Sequence, residues 1–347
     1  MKKVMVTEGC RRLARQLTFW LCLLIVLLTT VAVSFAQQRI STRSADAFSQ
    51  DANDANERFK RSLQQYADLL YQGRSFVHGS REVTQKEWEQ YFREQNIFGR
   101  YKGISMVFIA ETVPHDAKLK FEAAMRMQPQ SGADYSISPG GDRPEYLMIT
   151  RYLRATNVAP AINFDLYSTP ARRQTYAAAR VLNHPVASPP LVLASGEPGF
   201  FMTLPVDTSG KSFVVITFHT DQLLDALFEG NTLHKLALRI SETDMVDPNE
   251  KIELFKTANW HDSNEMTLRR TDTFGVAGRQ WIMEYKGNAD YDNEPAGRFG
   301  TLFIGLIGSM LIVMIGLTYF ALLKVGERNV ALQKKTGSKP RKSGGRA

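Results

Sequence analysis

The chain has 347 residues, 44% of them apolar, and is long enough to form two domains with substantial cores. Its net charge is +8, but 13 of the 43 Lys and Arg residues lie in the first 16 and the last 24 positions. A basic balance concentrated in two short tails does not indicate a nucleic-acid-binding protein, so we expect no nucleic-acid partner.

Two apolar segments predict membrane-spanning helices. Residues 17–36 form 20 consecutive positions without a charge, and residues 299–323 form 25 more. At 1.5 Å per residue, each segment can cross a hydrocarbon core of roughly 30 Å. The alternative for the first segment is a cleaved signal peptide, because Ser34 and Ala36 have the small-residue spacing of a cleavage site. A cleavable apolar region is usually shorter than this one, which favours an anchor.

The charges beside the two spans predict their orientation. Residues 1–16 carry five Lys or Arg and one Glu, and residues 324–347 carry eight Lys or Arg and one Glu. Because Lys and Arg are enriched on the cytoplasmic side, we expect both tails in the cytoplasm, with some attraction to anionic membrane lipid. Residues 37–298 are then extracytoplasmic. The favoured location of the protein is the inner membrane, with this part in the periplasm. That part contains no Cys, so no disulfide can stabilise it.

A long stalk helix is predicted directly after the first span, over residues 37–73. Apolar and small residues recur there at alternating steps of three and four, from Ala45 to Leu69. This seam can cover the core of the neighbouring domain or pair two copies of the chain, and the sequence leaves both alternatives open. Gly73 is expected to end the helix.

Three helices are predicted between the stalk and residue 198, each beginning near a capping residue or a proline. They are the helix opened by the T-x-x-E capping box of Thr84 and Glu87, the helix after Pro114 with Phe121 and Ala124 on its inner face, and the helix capped by Thr169 with Pro170 at its first position. A fourth helix is expected from Asp221 through Phe228.

Short apolar or alternating runs predict the strands, and a Pro-, Gly-, Ser- and Asp-rich loop is expected at residues 129–145. The predicted strands are residues 103–110, 146–153, 199–206, 212–219, 236–241, 251–256, 265–274 and 279–285. The third and fourth of these are predicted to form a hairpin turned by "DTSGK". The order of elements predicts an α+β fold with mainly antiparallel sheets.

Four stretches carry a resemblance to a known family, the CHASE domain, an extracytoplasmic sensor module of membrane receptors that include the plant cytokinin-receptor kinases. The stretches are "GRSFVHGSREVTQKEWEQYF", "GISMVFIAETVP", "NFDLYSTPARRQTYAAARVLNHPVASPPLVL" and "GFFMTLPV". The resemblance covers roughly residues 74 to 230. It implies a membrane-distal PAS-like domain over residues 74–198 and a membrane-proximal PAS-like domain over residues 199–298, between the stalk and the second span.

The resemblance also implies a site for a small-molecule ligand. In cytokinin-binding members, an Asp at the position of Asp165 accepts hydrogen bonds from the ligand, and a backbone contact matches the segment around Ala187 and Ser188. A carboxylate in an apolar pocket can be satisfied by N–H donors of a ligand. The alternative from the residues alone is an Asx turn, or stabilisation by the positive end of the helix that begins at Pro170.

One departure from the family pattern lies near the end of the strand over residues 146–153. Members commonly have an acidic residue and a proline there, whereas this chain has Arg151 and Arg154, which strand alternation sends to opposite faces. One of them is expected to pair with Asp165 or to bind a ligand carboxylate, and the alternative is that both are solvated. The departure argues against an adenine-type ligand.

Catalytic and metal-binding patterns are not found in the sequence. The six His residues show no metal-ligand spacing, "GKS" at residues 210–212 lacks the first glycine of a phosphate loop, and no G-x-S-x-G is present. We therefore expect no metal, no cofactor and no enzymatic activity.

The favoured function is a membrane-anchored small-molecule sensor without the output domain that is usual in the family. Such a sensor would signal through a separate protein or as a homodimer formed through the stalk. Gly305 and Ser309 form a small-xxx-small pair at which another helix can approach the second span. The alternatives are a scaffold with a vestigial pocket, a truncated receptor kinase or cyclase, and, least favoured, an extracytoplasmic hydrolase.

Overall fold

The structure is a computed structural model that describes residues 2–129, 131–155, 161–194, 196–228, 236–243, 251–261, 267–288, 291 and 295–336. Its described helices are α1 (Lys2–Gly79), α2 (Gln85–Glu94), α3 (Ile97–Arg100), α4 (Lys118–Arg126), α5 (Pro170–Leu182), α6 (Thr220–Phe228) and α7 (Pro295–Thr336). Its described strands are β1 (Ile104–Pro114), β2 (Glu145–Arg154), β3 (Val186–Ala187), β4 (Leu191–Val192), β5 (Pro198–Pro205), β6 (Ser212–His219), β7 (Ala237–Thr243), β8 (Lys251–Lys256), β9 (Leu268–Val276) and β10 (Arg279–Gly287).

The first sheet is antiparallel and has the order β2-β1-β6-β5-β3, with β4 also paired to β5. Most residues of β1, β5 and β6 are buried, whichever face they point to. Near-continuous apolar runs such as "GFFMTLP" are expected in strands that are covered on both faces. This sheet provides the floor of the candidate site.

The second sheet is also antiparallel and has the order β8-β7-β10-β9. Strand β9 alternates between half-buried and exposed residues, as expected for a sheet with one face toward solvent. The α+β fold with mainly antiparallel sheets is therefore confirmed, as are the eight predicted strands. Strands β3 and β4, of two residues each, were not predicted because they are too short to show a periodicity.

The chain divides into two compact units, one of residues 48–289 and one of residues 1–47 with 290–347. Within the first unit, the α1 seam is buried against the sheets of its own chain. Phe59 makes edge contacts with Phe274 and Trp281, at ring-centroid distances of 6.1 and 5.4 Å, and Tyr66 lies 4.7 Å from Phe218. The first alternative for the seam is confirmed, since most of its residues are buried and cover the core, while pairing with a second copy stays a prediction.

The prediction that Gly73 ends the stalk helix is wrong, because α1 continues to Gly79. Gly73 instead lies where the helix crosses the first sheet. A Cβ atom at this position would lie 2.9 Å from Cγ1 of Val214 in β6. The absence of a side chain therefore permits close packing of the helix on the sheet. In a sequence, a glycine with this role looks the same as a glycine that ends a helix.

The other predicted helices are present, with two differences in detail. The Thr84 and Glu87 capping box of α2 is confirmed, with both reciprocal bonds formed. In α4 the buried residues are Glu122 and Met125, whereas Ala124 is exposed, so its predicted inner position is wrong. A 3₁₀ turn at His115–Ala117 precedes α4 and rotates its faces relative to a helix starting directly after Pro114. Thr169 is the N-cap of α5, but its side chain makes no capping bond.

Two described helices, α1 from Gln16 and α7 over Leu302–Val325, contain segments long and apolar enough to cross a membrane. Within the unit that contains both segments, Gly308 of α7 packs against Thr29 of α1 so closely that a Cβ atom there would overlap the Thr29 side chain. Gly305 and Ser309, the predicted small pair, are exposed. The approach of another helix at that pair stays a prediction.

We expect Gly73→Ala to destabilise the protein even though Ala is the better helix former by about 1 kcal/mol. The added Cβ atom must displace a β-branched side chain in a packed sheet, and such overpacking costs about 1 to 3 kcal/mol. Chemical denaturation should give a free energy of unfolding lower by about 1 kcal/mol. Gly79→Ala is the matched control, because a Cβ atom there meets nothing within 4 Å. Equal stability of the two variants would contradict the packing role.

Candidate ligand cavity

A cavity lies between the first sheet and α5, in the part of the chain that resembles the distal sensor domain. Its volume is about 40 Å³, which is more than the roughly 30 Å³ of one liquid water molecule but well below the roughly 300 to 1,000 Å³ of small-molecule pockets. A ligand would therefore have to displace the segments that cover it. The lining residues are Ser105, Met106, Phe108, Ile149, Ala161, Leu166, Arg172, Tyr176, Leu193, Ala194, Phe201 and Thr217.

Helix α5 provides the polar side of the cavity. Pro170 occupies the first turn, where a missing N–H costs nothing, and the buried residues Arg172, Thr175, Tyr176 and Ala179 follow at steps of three, one and three. This spacing places one stripe of the helix against the sheet. An arginine is unusual in such a stripe, since arginine is rarely buried unless it is paired.

Arg172 is 5% exposed and has no carboxylate within ion-pair distance among the described residues. Its Nη2 atom donates a hydrogen bond of 2.7 Å to the carbonyl oxygen of Val192, and its guanidinium lies 4.8 Å from the centre of the Phe164 ring. Burial lowers the pKa of Arg172 from its ordinary value, and the nearby Tyr176 opposes that shift. The arginine is thus positioned and desolvated, and no carboxylate of the described residues neutralises its charge.

The remaining wall of the cavity is aromatic and hydroxylic. Tyr176 stacks on Phe201 at 5.1 Å and contacts Phe213 edge-on at 5.0 Å, and burial raises the pKa of its hydroxyl well above the ordinary value. Tyr176 is therefore a neutral group at any physiological pH. Opposite it, the hydroxyls of Ser105 and Thr217 are hydrogen-bonded to each other at 2.8 Å.

Asp165 is fully buried, but its carboxylate bonds within the protein and is not part of the cavity wall. Its Oδ1 atom accepts hydrogen bonds from the backbone N–H groups of Leu147, at 3.0 Å, and of Tyr167, at 2.9 Å. The bond to the residue two positions later is the Asx-turn geometry that the sequence left open. Its Oδ2 atom lies 3.1 Å from Nη1 of Arg143. Contact of Asp165 with a ligand is untested and stays a proposal.

Ala187 and Ser188 likewise use their backbone groups within the protein. The Ala187 N–H donates to the carbonyl of Ala277 at 2.8 Å, and the Ala187 carbonyl accepts from Nε of Arg279 at 2.9 Å. The Ser188 N–H donates to the carbonyl of Phe201 at 2.8 Å. These bonds join β3 to β5 and to the turn between β9 and β10, so the segment connects the two sheets.

Arg151 and Arg154 are both half-buried near the end of β2, and the predicted pairing with Asp165 is wrong for Arg151. Arg151 donates to the carbonyl of Val83 at 2.7 Å and forms an ion pair with Glu111 at 2.7 Å. A β-bulge between Ile109 and Ala110 shifts the register of β1 on β2 at this point. The arginine that neutralises Asp165 is Arg143, which sequence reasoning missed.

Sequence reasoning also missed Arg172 and Tyr176. Both lie in "PARRQTYAAA", a stretch that carried the family resemblance, and the signal present in the sequence was the position of Arg172 on the apolar stripe of an amphipathic helix. Adjacent Arg173, about 100° further around the helix, is exposed, so helical phase alone distinguishes the two arginines.

We expect Asp165→Ala to lower the free energy of unfolding by about 3 kcal/mol or more, because it removes two buried hydrogen bonds and leaves Arg143 without its anion. Glu111→Gln is the matched control, because it breaks an ion pair that is more exposed and should cost about 1 kcal/mol or less. Chemical denaturation of the two variants and the wild type would measure both changes in the free energy of unfolding. Wild-type stability of Asp165→Ala would mean that the carboxylate is kept for a partner outside the chain.

Comparison with known proteins identifies the family. The model of the CHASE domain matches residues 81–254, half of the chain. A search of curated proteins gives no match. Among solved structures, the chain is similar to the ligand-binding domain of the Pseudomonas aeruginosa amino acid chemoreceptor PctB in complex with L-Arg, with 11% identity, a TM-score of 0.39, and coverage of 71% of this chain and 93% of that one.

Two further solved structures show a comparable likeness. For the ligand-binding domain of the Pseudomonas fluorescens chemoreceptor CtaA in complex with L-serine, the identity is 9% and the TM-score 0.41, over 73% of this chain and 99% of that one. For methyl-accepting chemotaxis protein X, the identity is 10% and the TM-score 0.43, over 72% and 98% of the two chains. On the family match, the chain belongs to the CHASE-domain family.

Proposed function

We propose that this protein is a membrane-anchored extracytoplasmic sensor of a small molecule that carries a carboxylate, bound in the cavity between α5 and the first sheet. The observation that carries the proposal is Arg172, a buried guanidinium facing an apolar cavity with no carboxylate beside it in the described part of the chain. The CHASE-domain family of the chain supports a sensing role.

The energetics favour a charged ligand group over a neutral one. Burying an ionised group without a counter-ion is costly, and a ligand carboxylate would offset that cost with charge-assisted hydrogen bonds. Arginine offers a planar pair of N–H donors that matches both oxygens of a carboxylate. Arg172 would therefore fix the orientation of the ligand, and the apolar wall of Phe108, Ile149 and Phe201 would hold its side chain.

Ligand entry would require a change of shape, since the cavity holds about 40 Å³. Residues Ala161 and Leu166 cover it from one loop, and Leu193 and Ala194 from another. The carbonyl of Val192, which holds Arg172, belongs to the end of β4, directly before the second loop. A carboxylate that takes over the Arg172 donors would release this loop, so binding and movement of the loop after β4 are coupled in this proposal.

The ligand contacts predicted for Asp165, Ala187, Ser188, Arg151 and Arg154 also remain a proposal. In the structure, Asp165, Ala187, Ser188 and Arg151 all have partners within the protein, so direct contact would mean exchanging those bonds. We favour an indirect role for Asp165. Its bonds to Leu147 and Tyr167 tie β2 to the loop that covers the cavity, which keeps Leu166 at the cavity wall.

We further propose that the two apolar helices span the inner membrane with both tails cytoplasmic, and that the first and second sheets correspond to the distal and proximal PAS-like domains of the family. Because β5 and β6 pair within the first sheet, this assignment moves the predicted domain boundary from residue 198 to a point after β6. The apolar segments of α1 and α7 and the tail charges support this topology. Transmission of the signal to a separate protein, and contact of the basic tail with membrane lipid, belong to the same proposal.

We expect Arg172→Met to abolish the thermal stabilisation of the full chain by small carboxylates while leaving its fold intact. Losing a charge-assisted hydrogen bond in a desolvated site costs about 1.5 to 3 kcal/mol, or roughly tenfold to a hundredfold in affinity. The measurement is the melting temperature of the detergent-solubilised chain against a panel of amino acids, dicarboxylic acids and aromatic acids. Arg81→Met, at an exposed position outside the cavity, is the control. A panel in which no carboxylate stabilises the chain would favour a scaffold over a sensor.

For the topology, a reporter that is active only outside the cytoplasm should be silent when fused after Ala347 and active when inserted beside Gly132, an open loop position. The reason is the concentration of Lys and Arg in the two tails. Reporter activity at the C-terminal fusion would contradict a cytoplasmic tail.

A further inference from the structure

A second concave surface, which we call the α5 groove, lies on the outer side of α5, away from the cavity. Its volume is about 380 Å³, within the range of small-molecule sites. Arg173, Ala177 and Arg180 form its helical side at steps of four and three residues, and Arg143, Glu145 and Tyr167 form the other sides. Since Ala177 is small, the two helix arginines are separated by open space.

Arg180 is held rigidly without being neutralised. Its Nη2 atom donates to the Tyr167 hydroxyl at 2.9 Å, its Nε atom donates to the Gly210 carbonyl at 3.2 Å, and its guanidinium lies 5.9 Å from the Phe213 ring centre. All three partners are uncharged. Gly210, at φ +59°, leaves room for the arginine stem, because a Cβ atom there would lie 2.6 Å from Nε. The chain thus fixes this guanidinium at the groove and leaves its charge available.

The charges around the groove leave it positive. Arg143 is compensated by the buried Asp165, which lies behind it at 3.1 Å. Arg173 is exposed and makes no ion pair within the described part of the chain, and Glu145 is the one described carboxylate that lines the groove. Arg173 and Arg180 are seven residues apart, or about 10 Å along the helix. Two uncompensated guanidinium groups at this separation can hold both ends of a small dianion or a single oxyanion between them.

We propose that the α5 groove is a second binding site, for a small oxyanion such as a phosphate group, held by Arg173 and Arg180 with Arg143 at its edge. Arginine suits this chemistry, because its planar donors bind two oxygens of one anion. The site goes beyond the sensor function proposed above and does not depend on it. Helix α5 separates the two sites, with Arg172 and Tyr176 on its inner stripe and Arg173, Ala177 and Arg180 on its outer stripe.

The test is the melting temperature of the full chain in detergent with inorganic phosphate, compared with sodium chloride at equal ionic strength. At a probe concentration about tenfold above Kd, we expect a rise of about 3 to 6 °C. Arg173→Gln with Arg180→Gln should abolish the rise. Ala177→Leu, which keeps every charge and fills the groove from an exposed helix position, should abolish it as well.

Two further variants distinguish binding in the groove from anion binding elsewhere on the chain. Arg81→Gln removes an exposed arginine far along the sequence and should keep the rise, which excludes a general charge effect. Arg172→Met should also keep it, which excludes binding in the cavity and makes this test independent of the sensor proposal. A rise with phosphate that the Arg173 and Arg180 double variant abolishes supports the site. No rise with phosphate, or a rise that survives Ala177→Leu, would overturn it.

Discussion

Both sheets of the unit of residues 48–289 pack on one face of a single helix, and the rest of that unit is built on this constraint. Phe59 of α1 contacts Trp281 in the second sheet, while Tyr66 and Gly73 contact Phe218 and Val214 in the first. The contacts lie along two buried helical turns or more, on one stripe. Because a helix is stiff over this length, the two sheets cannot shift along α1 independently without breaking a well-packed core.

A polar connection joins the sheets on the side away from α1. Arg279, in β10, pairs with buried Glu242 at 3.2 Å and donates to the carbonyl of Ala187 in β3. The N–H of Ala187 in turn bonds the carbonyl of Ala277 in the turn before β10. A buried ion pair of this kind adds little net stability, but it specifies one geometry, because every alternative leaves a charge unpaired. In a sensor, a movement of the first sheet would reach the second through this contact.

The buried charges of the first sheet differ in the partners that the chain gives them, and this difference supports the proposed ligand site. Oδ1 of Asp165 accepts two backbone hydrogen bonds, and its Oδ2 atom, which has no hydrogen-bond partner in the described part of the chain, lies 3.1 Å from the charged Nη1 of Arg143. Arg172 has a carbonyl and an aromatic ring. In the described part of the chain this desolvated guanidinium has no carboxylate partner, and a ligand anion would offset that energetic cost. The cavity beside Arg172 is therefore a stronger site candidate than the carboxylate that the family resemblance emphasised.

Local patterns were sufficient to predict the elements, whereas the site depended on contacts between distant residues. The hairpin of β5 and β6 and the capping box at Thr84 are encoded within a few residues, so the sequence predicts them. The seam of α1 has the same periodicity whether it packs on its own sheets or on a second copy, and only the tertiary fold decides. The partner of Asp165 is 22 positions away, at Arg143, and nothing in the sequence distinguishes it from Arg151. Arg172 and Arg173 are adjacent and identical in type, and only helical phase assigns one to each side of α5.

Hydrogen exchange of the full chain, with and without a carboxylate that stabilises it, tests the central claim most directly. Ligand binding at Arg172 predicts increased protection in peptides that cover residues 161–176 and residues 191–206, which line and cover the cavity. Peptides over residues 251–261 do not line the cavity, so their protection from hydrogen exchange should change little. Protection confined to residues 138–147, around the partners of Asp165, with no change at α5 or after β4, would contradict the account and return the ligand to the site that the family resemblance implied.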